Sequence, residues 1–216
     1  MLEPLKITAW LACGVISDRF MPLDGLLHYQ LVRERYGAQA ASLPGRSAIR
    51  IGGLTLPIRQ VNQGQPDWYY ACSFAQWPEH AVEGLSHWNK RLDVSLVDLI
   101  DFGGRRGNIP IAHGRYRNYH MSIFYRHALS VSWYLVGNSE RIRQLLSTSF
   151  GLGKKTSMGW GAIKEWEIES CAADWSTIGP GGRIMRAIPC EGGVLYGVRP
   201  SYWDPRHQFP CKLPET

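Results

Sequence analysis

Phe150-Gly151-Leu152-Gly153-Lys154-Lys155-Thr156-Ser157-Met158-Gly159-Trp160-Gly161-Ala162-Ile163 sets four glycines around two lysines and two hydroxyls. Before it, Asn138 is placed to cap a helix that carries Ile142, Leu145 and Leu146 on its inner face. After it, Ala162 to Ile168 reads as a strand, with Lys164, Trp166 and Ile168 alternating against Ile163, Glu165 and Glu167. The glycine-rich turn therefore joins the end of a helix to the start of a strand. Glycine admits positive φ and close backbone approach, and clustered amides beside Lys154 and Lys155 make a site for phosphate oxygens.

That polarity excludes the common nucleotide motifs. A P-loop follows a strand and opens a helix, and needs Gly, four residues, then Gly-Lys-Ser/Thr. Here Lys155 follows Gly153-Lys154, and Thr148 stands where the first glycine belongs. The dinucleotide fingerprint Gly-x-Gly-x-x-Gly fails at Thr156. Asp101-Phe102-Gly103 has no companion kinase motif.

Upstream, Leu5, Ile7, Ala9 and Leu11 alternate as a half-buried strand. Pro22 opens a helix with Leu23, Leu26, Leu27 and Leu31 on one stripe, and Gly37 stops it. Leu54 to Arg59 is a short strand candidate, Trp68 to Phe74 an aromatic strand, and Glu79 to Lys90 a short helix that Gly84 weakens. Tyr119, Met121, Ile123 and Tyr125 alternate, as do Val131, Trp133 and Leu135. The tail from Ser170 reads as loop, with short strands near Arg183 to Ile188 and Val194 to Val198. The element order predicts an α+β protein, a ferredoxin-like (RRM-like) βαββαβ domain with a basic insertion and a C-terminal extension over residues 170–216. Trp10, Trp133 and Trp166 are expected to pack the sheet.

The 216 residues carry a net charge of +6, with 44% hydrophobic and 19% charged residues, a globular balance that permits a nucleic-acid partner. Position matters more than the sum. No acid occurs from Phe102 to Ser139, where Arg105, Arg106, Arg115, Arg117 and Arg126 gather with His113, His120 and His127. The five cysteines are scattered without a Cys-x-x-Cys, so neither zinc nor a disulfide framework is expected, and no cofactor is implied. No signal peptide and no membrane-length apolar run is apparent, so the expected location is cytoplasmic, without a membrane partner.

Gly151-Leu152-Gly153, followed after five residues by Gly159-Trp160-Gly161, resembles the glycine-loop signature of the repeat-associated RNA-binding (RAMP) proteins of CRISPR systems. The Leu5 to Leu11 strand, the Pro22-Leu23-Asp24-Gly25-Leu26-Leu27 helix start and Arg199-Pro200-Ser201-Tyr202-Trp203 look like the Cas-five-like, handle-binding subunit of type IV CRISPR complexes. The resemblance implies a single RAMP-type domain over residues 1–216 that caps the 5′ handle of the guide CRISPR RNA. It implies contact with the backbone and large subunits, and target DNA nearby. The RNA contacts it implies are Gly151, Gly153, Lys154, Lys155, Thr156, Ser157, Gly159, Trp160 and Gly161 of the loop (150–161). A thumb at 103–118 adds Arg105, Arg106, Arg115 and Arg117, with Tyr116 and Tyr119 for stacking. Trp160 either stacks on a nucleotide or packs under the loop.

Relatives in that superfamily include metal-independent endoribonucleases, which need a general base and acid. His28, His113, His120 and Tyr116 are the catalytic candidates, yet nothing pairs them in the sequence, so a binder is expected rather than an enzyme. No clustered carboxylates suggest a metal site. A scaffold that docks on an acidic protein surface remains a second alternative.

Overall fold

The computed structural model describes residues 1–37, 39, 54–93, 95, 99, 112–114 and 116–215. In chain order its elements are β1 (Glu3–Leu11), α1 (Leu23–Tyr36), β2 (Gln60–Val61), β3 (Tyr69–Tyr70), β4 (Val82–Lys90) and β5 (Tyr119–His127). They continue with β6 (Ser130–Gly137), α2 (Ser139–Leu146), β7 (Ile163–Ser170), β8 (Ile188–Gly197) and β9 (Gln208–Lys212). The architecture is mixed α+β, with antiparallel sheets and two α-helices among the described residues.

A three-stranded sheet in the order β6-β1-β7 forms the centre. The alternation in β1 buries Leu5, Ile7, Ala9 and Leu11 on one side, where they meet Val131, Trp133 and Leu135 of β6. Both helices cover that face, giving Leu23, Leu27 and Leu31 from α1 and Ile142, Leu145 and Leu146 from α2. Pro22 is extended and Gly37 takes φ 55°, so α1 begins and ends where its residue types require. Asn138 Oδ1 accepts from the Arg141 amide at 2.8 Å and caps α2. Along the outer edge of β6, Cys72 and Gln76 form isolated antiparallel bridges to Leu135 and Ser132.

Several expectations change. Glu79 to Lys90 is not a helix: Val82 to Lys90 is a strand that pairs residue for residue with β5. Ser86, His87, Trp88 and Asn89 are indifferent helix formers, and the ladder offered by β5 outweighs their local preference. Gly84 is used rather than tolerated, because the Tyr125 ring lies where its Cβ would be. Leu54 to Arg59 yields only a bridge from Ile58 to Gly137, and in Trp68 to Phe74 only Tyr69–Tyr70 is regular strand. In β7 Trp166 and Ile168 keep the expected face, but a register shift opposite Trp10 and Leu11 leaves Lys164 as an extra residue and reverses the parity at the start of the strand. Ile163 and not Lys164 then turns toward the core, alongside Trp166 and Ile168. Trp133 is fully buried, whereas Trp10 is 40% exposed and donates to Glu167 Oε2 at 3.1 Å across the open sheet face.

The tail is more ordered than a loop. β8 and β9 pair, and Ala187, Val198 and Cys211 form a second core with Tyr69 and Phe74. The fully buried Arg186 fastens it, donating to Cys72 O at 2.8 Å, to Val198 O at 2.6 Å and to Tyr70 O.

Candidate nucleic-acid interface

The glycine loop is built by backbone contact with residues 12–18, which leave the end of β1. The Lys154 amide donates to Ile16 O at 2.6 Å, the Gly161 amide to Gly14 O at 2.8 Å, and the Leu152 amide back to Gly161 O at 2.8 Å. Gly153 and Gly161 both take positive φ, and a Cβ at either would strike a backbone oxygen, Ile16 O and Leu152 O respectively. Glycine is therefore required at these two positions by approach as well as by dihedral. Cys13 Sγ completes the seam by donating to Gly159 O at 2.9 Å. Leu152 anchors the loop in the core at 3% exposure, while Gly151 faces the Thr156 side chain. Thr156 and Ser157 stand in a short 3-10 turn that follows Lys155, itself left-handed at φ 61°.

Residues 12–18 carry the loop to a second element. Val15 bridges Arg126 of β5 on one side and Ile16 bridges Lys154 on the other. The β4–β5 ribbon consequently lies beside the glycine loop. Lys155 Nζ sits 3.2 Å from the centroid of the Trp88 ring, well within cation–π range. Trp88 in turn meets Tyr119 edge-on, with centroids 4.9 Å apart. Trp160 is half-buried, its ring 4.9 Å from that of Tyr125 and close against Gly14, so in this structure it packs beneath the loop. Lys154 Nζ is 2.6 Å from Asp18 Oδ1, with both side chains more than half exposed. An exposed pair of this kind contributes little stability and exchanges partners readily.

The structure thus brings Gly151 to Gly161 together with Tyr119, at one end of the ribbon. Arg117 is exposed and Tyr116 half-buried in the approach to β5. Arg105, Arg106 and Arg115, and most of the 103–118 insertion, lie outside the described residues. Trp88, Asp18, Cys13 and Gly14 were not legible as site residues. Each reaches the loop through pairing distant in sequence, and only the tryptophan count hinted at a further ring. The open face of the central sheet is a poor phosphate surface, since β7 presents Glu165, Glu167 and Glu169 there beside Trp10, Thr8 and Lys6.

The histidine candidates acquire different neighbours. Burial lowers the pKa of His28, and the nearby His207 lowers it further. His120 contacts Asn89 and stacks on His87 with centroids 4.6 Å apart, and His113 is exposed. Among the described residues no hydrogen bond or ring contact joins His28 to His113 or His120. Nor does any group of three or more His, Cys, Asp or Glu among them form a metal-binding arrangement. No helix among them is long and apolar enough to cross a membrane. The two segments 22–27 and 199–203 meet in the interior, where Tyr202 Oη donates to Asp24 Oδ1 beside the Arg186 guanidinium. Burial pushes the Asp24 carboxyl above its usual range, against the opposing pull of Arg186 and Tyr202.

Residues 3–214 match the family model described as CRISPR type IV associated protein Csf3. No curated protein matches the chain.

Proposed function

The chain belongs to the Csf3 family of CRISPR type IV associated proteins, and on that premise we propose that it is the RNA-binding subunit of a type IV CRISPR ribonucleoprotein complex. In this reading it caps the 5′ handle of the guide RNA and contacts the adjacent backbone subunit. The succession β1-α1-β6-α2-β7, with the Cys72 to Gln76 segment bridged along β6, supports reading the core as a ferredoxin-like RAMP domain. One observation carries the RNA reading. Lys154, Lys155, Trp88 and Tyr119 lie along the seam between the glycine loop and the β4–β5 ribbon, whereas the open sheet face is lined with glutamates. Cations beside aromatic rings suit a single strand, whose phosphates and bases they bind without reading sequence.

The test is salt-dependent binding of a guide-like RNA to the purified protein. Several phosphate contacts give a steep fall of affinity with salt, and Lys154→Glu with Lys155→Glu should flatten it. Absence of RNA affinity at low salt, together with no effect of that double substitution, sinks the reading.

We read the protein as a binder rather than a nuclease. The adjacency of His28 and His207, both with pKa values lowered chiefly by burial, favours one other reading, in which a neutral imidazole serves as general base. Incubation with precursor RNA in EDTA separates the two. Cleavage that disappears in His28→Ala or His113→Ala assigns the nuclease role.

A further inference from the structure

A second basic site lies across residues 15–19 from the glycine loop. Arg19, Arg126 and Arg183 line an open cavity of about 280 Å³ whose floor includes Phe20. They arrive from three parts of the chain: the β1–α1 connection, β5, and the approach to β8. The cavity lies just below the ~300–1,000 Å³ range of small-molecule sites, which suits one base or sugar-phosphate rather than a large cofactor. Phe20 is held in place by its stack on Phe74, with centroids 4.9 Å apart and planes within 24°. Arg19 lies over the Phe20 ring at 5.6 Å.

The charges at this site are unevenly committed. Arg126 Nε is already 2.7 Å from Glu83 Oε1, and its guanidinium covers the Trp77 ring at 5.7 Å. Arg183 donates to the neutral Gln76 side chain. Neither Arg19 nor Arg183 has a carboxylate within salt-bridge distance among the described residues, and Glu215 is the one acid lining the cavity. Two guanidiniums facing the same opening match a phosphate group. A neighbouring cavity shares Arg19 and Arg126 and is lined also by Glu83 and by Asp18, the ion-pair partner of Lys154. The two cavities adjoin in one groove, and the Asp18–Lys154 pair connects that groove to the glycine loop.

We propose that this pocket receives one nucleotide of a single-stranded RNA, its phosphate drawing Arg19 off the Phe20 ring to pair beside Arg183 and its base taking the ring face that Arg19 leaves. The assignment rests on the RNA reading above and extends the bound strand beyond the glycine loop. An acidic peptide would satisfy the arginines but gives no use for the ring beside them.

The experiment follows binding of a fluorescein-labelled 20-nucleotide single-stranded RNA as salt is varied. It compares the wild-type protein, Arg19→Gln/Arg183→Gln, Lys154→Glu/Lys155→Glu, and Arg143→Gln on α2 as a charge control outside the groove. The arginine double variant is expected to lose on the order of tenfold in affinity at 0.1 M salt. Its salt slope should fall by about 0.7, the value for one single-strand phosphate contact. Crosslinking of the same RNA carrying 4-thiouridine should label the peptide that contains Phe20. Affinity and slope matching Arg143→Gln, with the lysine variant still impaired, overturn the pocket and leave the RNA reading standing. No RNA binding by any form overturns both. Arginine-dependent binding of oligoglutamate without RNA binding reassigns the pocket to a protein.

Discussion

Arg186 and Asp18 illustrate two opposite uses of charge. Arg186 is wholly buried, 3.9 Å from Asp24, and satisfies three carbonyls of two different cores. Arg186→Met leaves those carbonyls and the Asp24 carboxylate without compensation, and should cost about 3–5 kcal/mol in urea unfolding. Combining it with Asp24→Asn should cost less than the two separate losses together, because the groups act as one unit. Asp18 instead sits 75% exposed on Lys154, where it occupies the cation that a phosphate would use. Asp18→Asn should leave stability within about 0.5 kcal/mol of wild type and tighten RNA binding about threefold at low salt. Unchanged or weaker RNA binding in Asp18→Asn contradicts a role for Lys154 in the site.

At the scale of elements, the glycine loop behaves as a spacer of fixed shape. Gly161 and Gly159 both have positive φ, yet only Gly161 is pressed against backbone. Gly159→Ala should cost about 1 kcal/mol from dihedral strain alone, and Gly161→Ala clearly more, since Leu152 O must also move. Equal losses in thermal or chemical unfolding would contradict the close approach at Gly161. The loop was legible because its cause is local: glycines, a capped helix before and an alternating strand after lie within a short window. β4 was misread for the same reason. Its own residues indicate little, and its strand state comes from β5, about thirty residues downstream, through pairs such as Trp88 with Met121. The face taken by Ile163 was likewise hidden, because a bulge at Lys164 that forms only on pairing with β1 sets it.

At the scale of the molecule, the tail closes the fold. His28 on α1 and His207 before β9 face each other, and burial lowers both pKa values from the ordinary 6.5. The unfolded chain then binds more protons than the native one just below pH 6.5, so their contribution is intact above that pH and lost as pH falls through the lowered native values. Asp24, raised by burial, works in the opposite sense as pH rises from its ordinary range. Urea midpoints at about pH 7.5 and 5.5 should therefore fall on acidification, and fall less in His28→Gln. An identical fall in both proteins removes His28 from the account. The sequence alone determined the β1 alternation, the limits of α1, the capped α2 and the glycine loop with its helix-to-strand polarity. These follow from periodicity and from dihedral preferences that act over a few residues. Only the tertiary structure decided that Lys155 meets Trp88, that Asp18 occupies Lys154, that three arginines share one pocket and that the tail is locked by Arg186. Those contacts join residues remote in the chain, and their partners are chosen by packing and charge after the local elements have formed.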